Sequence, residues 1–326
     1  MRTEIISTTT ERTRAIDAAV SILKNRGLVA LPTETVYGLA GNALDAEALV
    51  KIFEAKERPY FDPLIVHVLN RDWLEPLVSW ESGSQQIIAD LMDRFWPGPL
   101  TFLVPRTPRI PDLVTAGLSE VAVRAPSHPI FANVLSVFGN PLAAPSANRF
   151  GRVSPTTGIH VLSELEGKIP LILDAGATSV GVESTVVRVK EGEIEILRPG
   201  PITFEDLLQF APVVDRSTSS KIVSPGQMES HYAPAKRVCI FRALDSGIDY
   251  SSSGLLCWGP KKYTEDFALV RSFSETRNLA EAARQLFALL REMDEASVET
   301  IYAEAVPSEG IGRAIMNRLG RASGKR

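Results

Sequence analysis

Short apolar runs alternate with amphipathic stretches over the first half of the chain. Apolar residues from Ile16 to Leu23 recur at helical spacing and predict a helix within 10–26, and the apolar run at 28–32 is typical of a buried strand. The same reading predicts helices at 45–57, 84–95 and 129–138 and strands at 63–69, 100–104, 121–125, 141–144 and 171–174. This alternation is typical of the α/β class.

The pattern changes after about residue 175. Apolar runs at 186–189 and 195–197 flank a turn that contains Gly192, and this arrangement predicts an antiparallel hairpin. A hairpin is foreign to a purely parallel sheet. We therefore predict an α/β (α+β-like) domain with a twisted mixed sheet rather than a doubly wound parallel one.

The apolar periodicity stops between residues 211 and 234, in a stretch rich in serine and proline. We predict a catalytic domain at 1–210, a linker at 211–235 and a second domain at 236–326. The linker carries His231 and Tyr232, a polar aromatic pair that favours a lid over a passive tether. After it, strands alternate with helices again, which predicts a small Rossmann-like α/β domain.

Composition narrows the class of protein. The chain has 326 residues, 44% of them hydrophobic, and the N-terminus lacks the apolar segment of a signal peptide, so we expect a cytoplasmic protein without a membrane partner. Up to residue 235 there are 21 basic and 27 acidic side chains, and beyond it 14 and 12. A dedicated nucleic-acid binder would be more basic. The two cysteines, Cys239 and Cys257, lie in apolar runs and are expected to be reduced and buried.

Several chemistries lack their sequence signature. There is no Walker-type phosphate loop, no His-Glu-x-x-His or Cys-x-x-Cys motif and no Gly-x-Ser-x-Gly nucleophile elbow. With four histidines far apart, a transition-metal site built by the protein is not indicated. We therefore expect no covalent catalysis and no organic cofactor.

Polar side chains instead gather near the ends of predicted strands and helices. Each has a structural alternative: Thr33 in a turn, His67 as a core histidine, and the loop around Ser146 as a solvated turn. Arg124 lies in an apolar strand and needs an anion, because an unpaired buried charge is costly. The candidate set is Thr33, Lys56, Arg58, His67, Thr115, Arg124, Ser146, Asn148, Ser184 and Arg198.

These residues stand in motifs that resemble the threonylcarbamoyl-AMP synthase family, of the YrdC/Sua5 type. The motifs are Pro-Thr-Glu-Thr-Val-Tyr-Gly-Leu at 32–39, Lys-Glu-Arg-Pro at 56–59, Pro-Leu-Ile-Val-His at 63–67, Trp-Pro-Gly-Pro-Leu-Thr at 96–101, Val-Arg-Ala-Pro at 123–126, Ala-Pro-Ser-Ala-Asn at 144–148, Gly-Val-Glu-Ser-Thr at 181–185 and Leu-Arg-Pro-Gly at 197–200. The later His-Tyr-Ala-Pro and the segment at 310–318 resemble the longer, two-domain Sua5 form. Asp62 departs from the pattern, since many relatives have asparagine there.

The resemblance implies a concave site on a YrdC-type sheet and a specific reaction. L-threonine, bicarbonate and ATP would give threonylcarbamoyl-AMP and pyrophosphate, with Mg²⁺ accompanying ATP and no metal held by the protein itself. The product would feed the proteins that transfer the threonylcarbamoyl group to an adenosine of tRNA, and transient contact with tRNA is conceivable for such an enzyme.

The resemblance also implies roles for individual residues. The threonine pocket would be formed by Thr33, His67, Arg124, Ala144 and Ser184. ATP would be held by Lys56, Arg58, Thr115, Ser146, Asn148, Arg198 and Tyr232. Among these, Lys56, Arg58 and Arg198 would position the reacting groups, because this chemistry needs positioning and charge neutralisation more than acid–base help.

Two other functions compete with this reading. One is a double-stranded RNA-binding or ribosome-assembly protein of the same fold, which the acidic balance of residues 1–235 disfavours. The other is a carbamoyl-adenylate former like the related domain of hydrogenase-maturation carbamoyltransferases, whose zinc-finger and acylphosphatase-like parts this chain lacks.

Overall fold

The chain forms two sheets, one in each of two domains. The computed structural model describes residues 2–80, 83–217, 232–244 and 249–324. Strands of the N-terminal domain are β1 (Glu4–Ser7), β2 (Val29–Leu31), β3 (Gly38–Asn42), β4 (Ile65–His67), β5 (Leu100–Pro105), β6 (Glu120–Arg124), β7 (Leu142–Ala143), β8 (Leu171–Asp174), β9 (Thr185–Lys190), β10 (Glu193–Arg198) and β11 (Val213–Asp215).

Helices pack around this sheet, and those at 12–24, 46–56, 85–95 and 129–138 lie where the amphipathic pattern predicts them, whereas the other four were not predicted. They are α1 (Arg12–Lys24), α2 (Ala46–Lys56), a 3₁₀ helix (Arg71–Leu74), α3 (Gln85–Phe95), α4 (Asp112–Thr115), α5 (Pro129–Phe138), α6 (Gly158–Leu165) and α7 (Phe204–Leu207). Asp45 caps α2 by accepting hydrogen bonds from the backbone N–H groups of Glu47 and Ala48. Pro129 begins α5, where its missing N–H costs nothing.

The N-terminal sheet is mixed, as predicted. Its order is β1-β8-β2-β3-β7-β4-β6-β5-β9-β10-β11. β9 and β10 form the predicted antiparallel hairpin, whereas β4 and β6 are parallel. The sequence reading missed β3, whose two glycines give no strand signal, and the motif around Thr33 is therefore the connection between two antiparallel strands.

The C-terminal domain is a small parallel α/β unit, which agrees with the Rossmann-like prediction. Its elements are β12 (Arg237–Phe241), β13 (Gly254–Trp258), β14 (Leu269–Ser274), α8 (Leu279–Glu295), β15 (Thr300–Glu304) and α9 (Gly312–Ala322). The strands lie in the order β12-β15-β13-β14, and every pairing is parallel. Cys257 is buried as expected, whereas Cys239 is only half-buried; both are free thiols.

The N-terminal sheet continues past residue 210, where the sequence predicts the linker to begin. β11 pairs in parallel with β10, so the N-terminal sheet extends to Asp215, inside the predicted linker. Three residues are too short a strand to stand out from the surrounding polar sequence. Residues 218–231, which include His231 and most of the predicted lid, lie outside the described residues.

The two domains share one apolar interface. Val36, Val153 and Val182 of the N-terminal domain pack in the same cluster as Phe287 of α8 and Ile315 of α9. Gly181 has a φ of +84° and packs so closely on α8 that a Cβ atom there would lie 2.4 Å from the Arg284 Cα. A side chain at this position would therefore push the domains apart.

None of the helices within the described residues is both long enough and apolar enough to cross a membrane.

Candidate functional site

A pocket lies on the N-terminal sheet, close to the C-terminal domain. We call it the site pocket. It is lined by Thr33, Thr35, Val36, Gly38, Arg58, Ile65, His67, Arg124, Ala144, Pro145, Ser146, Glu183, Ser184, Arg198 and Tyr232. Nine of the predicted site residues therefore meet in one place.

The pocket sits on a face of the sheet rather than along one strand-end edge. Ile65 and His67 are two residues apart on β4, so their side chains leave the same face, and both line the pocket. Three successive antiparallel pairings separate β2 from β4, so these two strands run in opposite directions. Thr33 follows the end of β2, whereas His67 is the last residue of β4. Strand-end position alone was thus a poor guide to where the candidates meet.

Arg124 has the buried anionic partner that the sequence demands. One terminal nitrogen, Nη2, forms an ion pair with Glu34 Oε1 at 2.6 Å, and the other, Nη1, donates to Thr35 Oγ1 at 3.0 Å. Nε donates to the carbonyl of Gly98 at 3.1 Å. An arginine has five N–H donors, so one on each terminal nitrogen remains beyond these contacts among the described residues. Arg124 is held rigidly and still has donors for a ligand.

Thr33 closes a turn and also lines the pocket. Its hydroxyl donates to the carbonyl of Val36 at 2.7 Å and accepts from the backbone N–H of Thr35 at 3.0 Å. The Thr33 and Thr35 hydroxyl oxygens are 2.8 Å apart. The turn brings two hydroxyls beside Arg124.

His67 is a neutral wall of the pocket. Burial, aided by the charge of Arg124, lowers the pKa of His67 from 6.5 to about 3. Its ring packs against Phe131 at 5.1 Å, and Nδ1 has no hydrogen-bond partner among the described residues. The uncharged imidazole forms part of the pocket lining, with Nδ1 itself buried.

Ser184 and Arg198 both line the pocket and are connected by hydrogen bonds. Arg198 Nε donates to the Ser184 carbonyl at 3.1 Å, and Nη2 donates to the Ser184 hydroxyl at 3.0 Å. That hydroxyl lies 2.7 Å from Thr101 Oγ1. Burial lowers the pKa of Arg198 from its usual value. A buried guanidinium at the pocket wall favours an anionic ligand.

Arg58 is braced by Asp62, the residue that departs from the family pattern. Its Nη2 lies 2.8 Å from Asp62 Oδ2 and donates to the carbonyl of Pro63 at 2.7 Å. Burial raises the pKa of Asp62, although the charge of Arg58 opposes that shift. Asp62 therefore supplies the counter-charge for a buried arginine on the pocket wall.

Three predicted nucleotide contacts lie behind the wall rather than on it. The buried ammonium of Lys56 donates to the carbonyls of Ser146 at 2.5 Å and Asn148 at 2.6 Å, and so fixes the loop that carries Ser146 into the pocket. The Asn148 amide donates to the carbonyls of Arg149 and Arg152. Thr115 is buried at the end of α4, with its hydroxyl 3.4 Å from the Asp112 carbonyl.

Tyr232 and Glu183 form the side of the pocket nearest the C-terminal domain. Tyr232 has a φ of +62° and stacks on Phe287 of α8 with the ring centroids 5.6 Å apart. The sequence reading did not select Glu183, nor Thr35, although both stand inside the quoted motifs. The only sequence signal for a role in the site was that each lies within two residues of a selected one, Ser184 or Thr33.

No group of three or more His, Cys, Asp or Glu side chains suited to a metal ion occurs in the described parts of the chain.

Two family models and several relatives match this chain. Residues 21–200 match Sua5_yciO_yrdC, described as "Telomere recombination", and residues 202–324 match Sua5_C, described as "Threonylcarbamoyl-AMP synthase, C-terminal domain". Two proteins named Threonylcarbamoyl-AMP synthase are similar over nearly the whole chain. The Bacillus subtilis protein is 40% identical over 95% of this chain and 93% of its own, and the Pyrococcus abyssi protein is 38% identical over 95% and 94%.

The fold of this chain is also similar to that of a solved relative. The crystal structure of Pyrococcus abyssi Sua5 complexed with L-threonine superposes with a TM-score of 0.88 and 36% identity, covering 99% of this chain and 98% of that one. Both domains and their arrangement are therefore shared. The chain belongs to the Sua5/YciO/YrdC family, in its two-domain Sua5 form.

Proposed function

We propose that this protein is an L-threonylcarbamoyladenylate synthase, which converts L-threonine, bicarbonate and ATP into threonylcarbamoyl-AMP and pyrophosphate. The observation that carries the proposal is the site pocket: hydroxyls, a neutral imidazole and three arginines meet there. The chain is also 38–40% identical, over 95% of its length, to relatives named for this activity. It is thus an ATP-using nucleotidyltransferase.

The threonine end of the pocket lies at Arg124. The remaining N–H donors on its two terminal nitrogens suit a carboxylate, which prefers a planar bidentate partner. The hydroxyl of Thr33, the ring of His67 and the hydroxyl of Ser184 line the same space, with the Ala144 backbone beside them. Their polarity and small size suit threonine better than a base, which would need stacking aromatics.

The nucleotide end lies at Arg58, Ser146 and Arg198. Two buried guanidinium groups would neutralise phosphate oxygens, and Lys56 would act by fixing the Ser146–Asn148 loop. Thr115 and Asn148 stay predicted ATP contacts. Mg²⁺ would accompany ATP, bound to its phosphates.

The proposed reaction depends mainly on how the reactants are positioned relative to each other. The threonine amine forms an N–C bond to the carbon of bicarbonate with loss of water, which gives an N-carboxylate. An oxygen of that group then attacks the α-phosphorus as the bond to pyrophosphate breaks. The described part of the pocket is enclosed by Tyr232 on one side, which would limit hydrolysis of the mixed anhydride. A cytoplasmic location and delivery of the product to tRNA-modifying proteins, with or without tRNA contact, complete the proposal. The RNA-binding alternative gains no support, since the relatives that are 38–40% identical to this chain are named for the synthase activity.

Product analysis tests the proposal. The protein is incubated with ATP, Mg²⁺, L-threonine and isotopically labelled bicarbonate, and the nucleotides are separated and analysed by mass spectrometry. We expect a labelled adenylate with the mass of threonylcarbamoyl-AMP, absent when D-threonine replaces L-threonine. AMP or ADP alone under all conditions would contradict the proposal.

A further inference from the structure

Arg318 is fully buried, although it belongs to α9 of the C-terminal domain. Its contacts reach into the N-terminal domain. Nε forms an ion pair with Glu183 Oε2 at 2.8 Å, and Nη1 donates to the carbonyl of Pro199 at 2.9 Å. A charged side chain without any exposed surface needs such partners. The C-terminal domain therefore inserts a cation directly behind the site pocket.

Glu183 is the link between Arg318 and the pocket. It lines the pocket beside Ser184, and its other oxygen, Oε1, accepts a hydrogen bond from Ser154 Oγ at 2.5 Å. Within the described residues, Arg318 is the only ion-pair partner of Glu183. Without Arg318, the buried Glu183 carboxylate would lose its direct ion pair.

Tyr232 is the second pocket residue that Arg318 supports. The guanidinium carbon of Arg318 lies 5.3 Å from the centre of the Tyr232 ring, a cation–π distance. Phe287 packs on the ring as well. Arg318 thus contacts two neighbouring residues of the pocket lining at once, and lines none of it itself.

We propose that Arg318 is a positioning residue that enables the site pocket to bind anionic substrates. It does so by neutralising the negative charge of Glu183 and by holding the ring of Tyr232 in place. The inference rests on the proposed function, whose substrates ATP, bicarbonate and the threonine carboxylate are all anions. A bare buried carboxylate would repel each of them in a medium of low dielectric constant. The C-terminal domain would then contribute to substrate binding through one side chain that never touches substrate.

Arg291 offers a matched control. It is a second buried arginine of the C-terminal domain, on α8, and it also crosses to the N-terminal domain. Its Nη1 lies 3.2 Å from Glu164 Oε1, and Nη2 donates to the Val153 carbonyl. Neither partner lines the site pocket. Loss of Arg291 should therefore weaken the interface between the domains without changing the charge of the pocket.

The test compares Arg318→Met, Arg291→Met and the double variant Arg318→Met/Glu183→Gln. Steady-state pyrophosphate release gives KM for ATP and kcat, and thermal unfolding gives Tm. We expect Arg318→Met to raise the KM for ATP by about tenfold or more, as for a buried charge left unpaired. Arg291→Met should lower Tm with little change in KM. Adding Glu183→Gln to Arg318→Met should restore most of the KM, because the neutral amide no longer repels the phosphates.

Equal KM values for Arg318→Met and Arg291→Met, or no rescue by Glu183→Gln, would overturn the inference. Should Arg318→Met fail to fold, Arg318→Lys replaces it. That variant keeps the charge but cannot make both polar contacts of the guanidinium, and we expect an intermediate KM.

A binding measurement separates this inference from the proposed function. Titration calorimetry with a non-hydrolysable ATP analogue reports the Kd of each variant without any turnover. A wild-type protein that forms no threonylcarbamoyl-AMP would contradict the proposed function alone. The Kd ratio of Arg318→Met to Arg291→Met would still judge Arg318, with a ratio near one as the contradicting result.

Discussion

Among the arginine–carboxylate pairs at the site pocket, two face it in opposite senses. In the first, Arg124 lines the pocket and its partner Glu34 lies behind the wall. In the second, Glu183 lines the pocket and its partner Arg318 lies behind the wall. The same chemical pair thus presents a cation to the ligand at one end and a neutralised anion at the other.

The difference also separates the two domains. Glu34 and Arg124 both belong to the N-terminal domain, so that pair can form in a single-domain protein. Arg318 comes from the C-terminal domain, so the second pair forms only when both domains are in place. We conclude that the end of the pocket at Arg124 is built within the N-terminal domain, whereas the end near Tyr232 depends on the contact between domains.

The largest expected effect is at the first pair. Arg124→Lys keeps the charge but removes the planar fork, and it should raise the KM for threonine by about a hundredfold, the effect of losing a strong charged hydrogen bond. The Kd for the ATP analogue should stay near the wild-type value. Steady-state kinetics with varied threonine, together with calorimetry, measure both quantities.

A control for Arg124→Lys is Arg106→Lys. Arg106 also donates to backbone carbonyls, those of Leu118 and Ile110, but it lies outside the site pocket. Equal losses of threonine and ATP binding in Arg124→Lys would mean that Arg124 is structural rather than a threonine ligand.

The next effect distinguishes the two pairs directly. Glu34→Gln and Glu183→Gln each remove the partner of a buried arginine and should each lower the free energy of unfolding by about 3 kcal/mol. Threonine should reverse more of the loss in Glu34→Gln, since its carboxylate can pair with the exposed donors of Arg124. The increase in Tm at saturating threonine measures this difference.

An equal increase in Tm for the two variants would break the comparison. It would place the threonine carboxylate away from Arg124, or show that the two pairs face the pocket in the same sense.

The last effect concerns pH. The pKa of His67 is lowered from 6.5 to about 3 by burial, so the unfolded chain binds a proton that the folded chain does not between these values. The free energy of unfolding should therefore fall as the pH drops from about 6.5 towards 3, and His67→Asn should reduce that slope. Urea unfolding at several pH values measures it.

His160 provides the comparison outside the pocket. Burial lowers its pKa to about 4, so His160→Asn should reduce the acid sensitivity in the same direction. Threonine affinity should show no histidine titration between about pH 6 and 8 in the wild type, because His67 stays neutral there. A step in affinity near pH 6.5 that disappears in His67→Asn would contradict this account.

Local signals in the sequence predicted the local parts of the structure. The helices predicted at 45–57 and 129–138 follow from a few neighbouring residues, and both are found. The target of Lys56 could not be foreseen, because the Ser146 and Asn148 carbonyls that receive its hydrogen bonds are about 90 residues away. Lys56 was predicted to bind ATP, so the sequence gave no reason to expect that its partners would be backbone carbonyls.

Pairing between distant segments set the limit of prediction. The anion that Arg124 requires is Glu34, which belongs to the Thr33 motif and lies 90 residues before Arg124 in the chain. Glu183 and Arg318 are 135 residues apart and lie in different domains. No periodicity or spacing connects such positions, and only the packing of α9 against the N-terminal domain brings them together.

The most direct test of the account is pyrophosphate release from ATP with Mg²⁺, omitting L-threonine or bicarbonate in turn. A pocket that positions a threonine N-carboxylate against the α-phosphorus predicts release only when both are present. Release with neither, or none under any condition, would contradict the account.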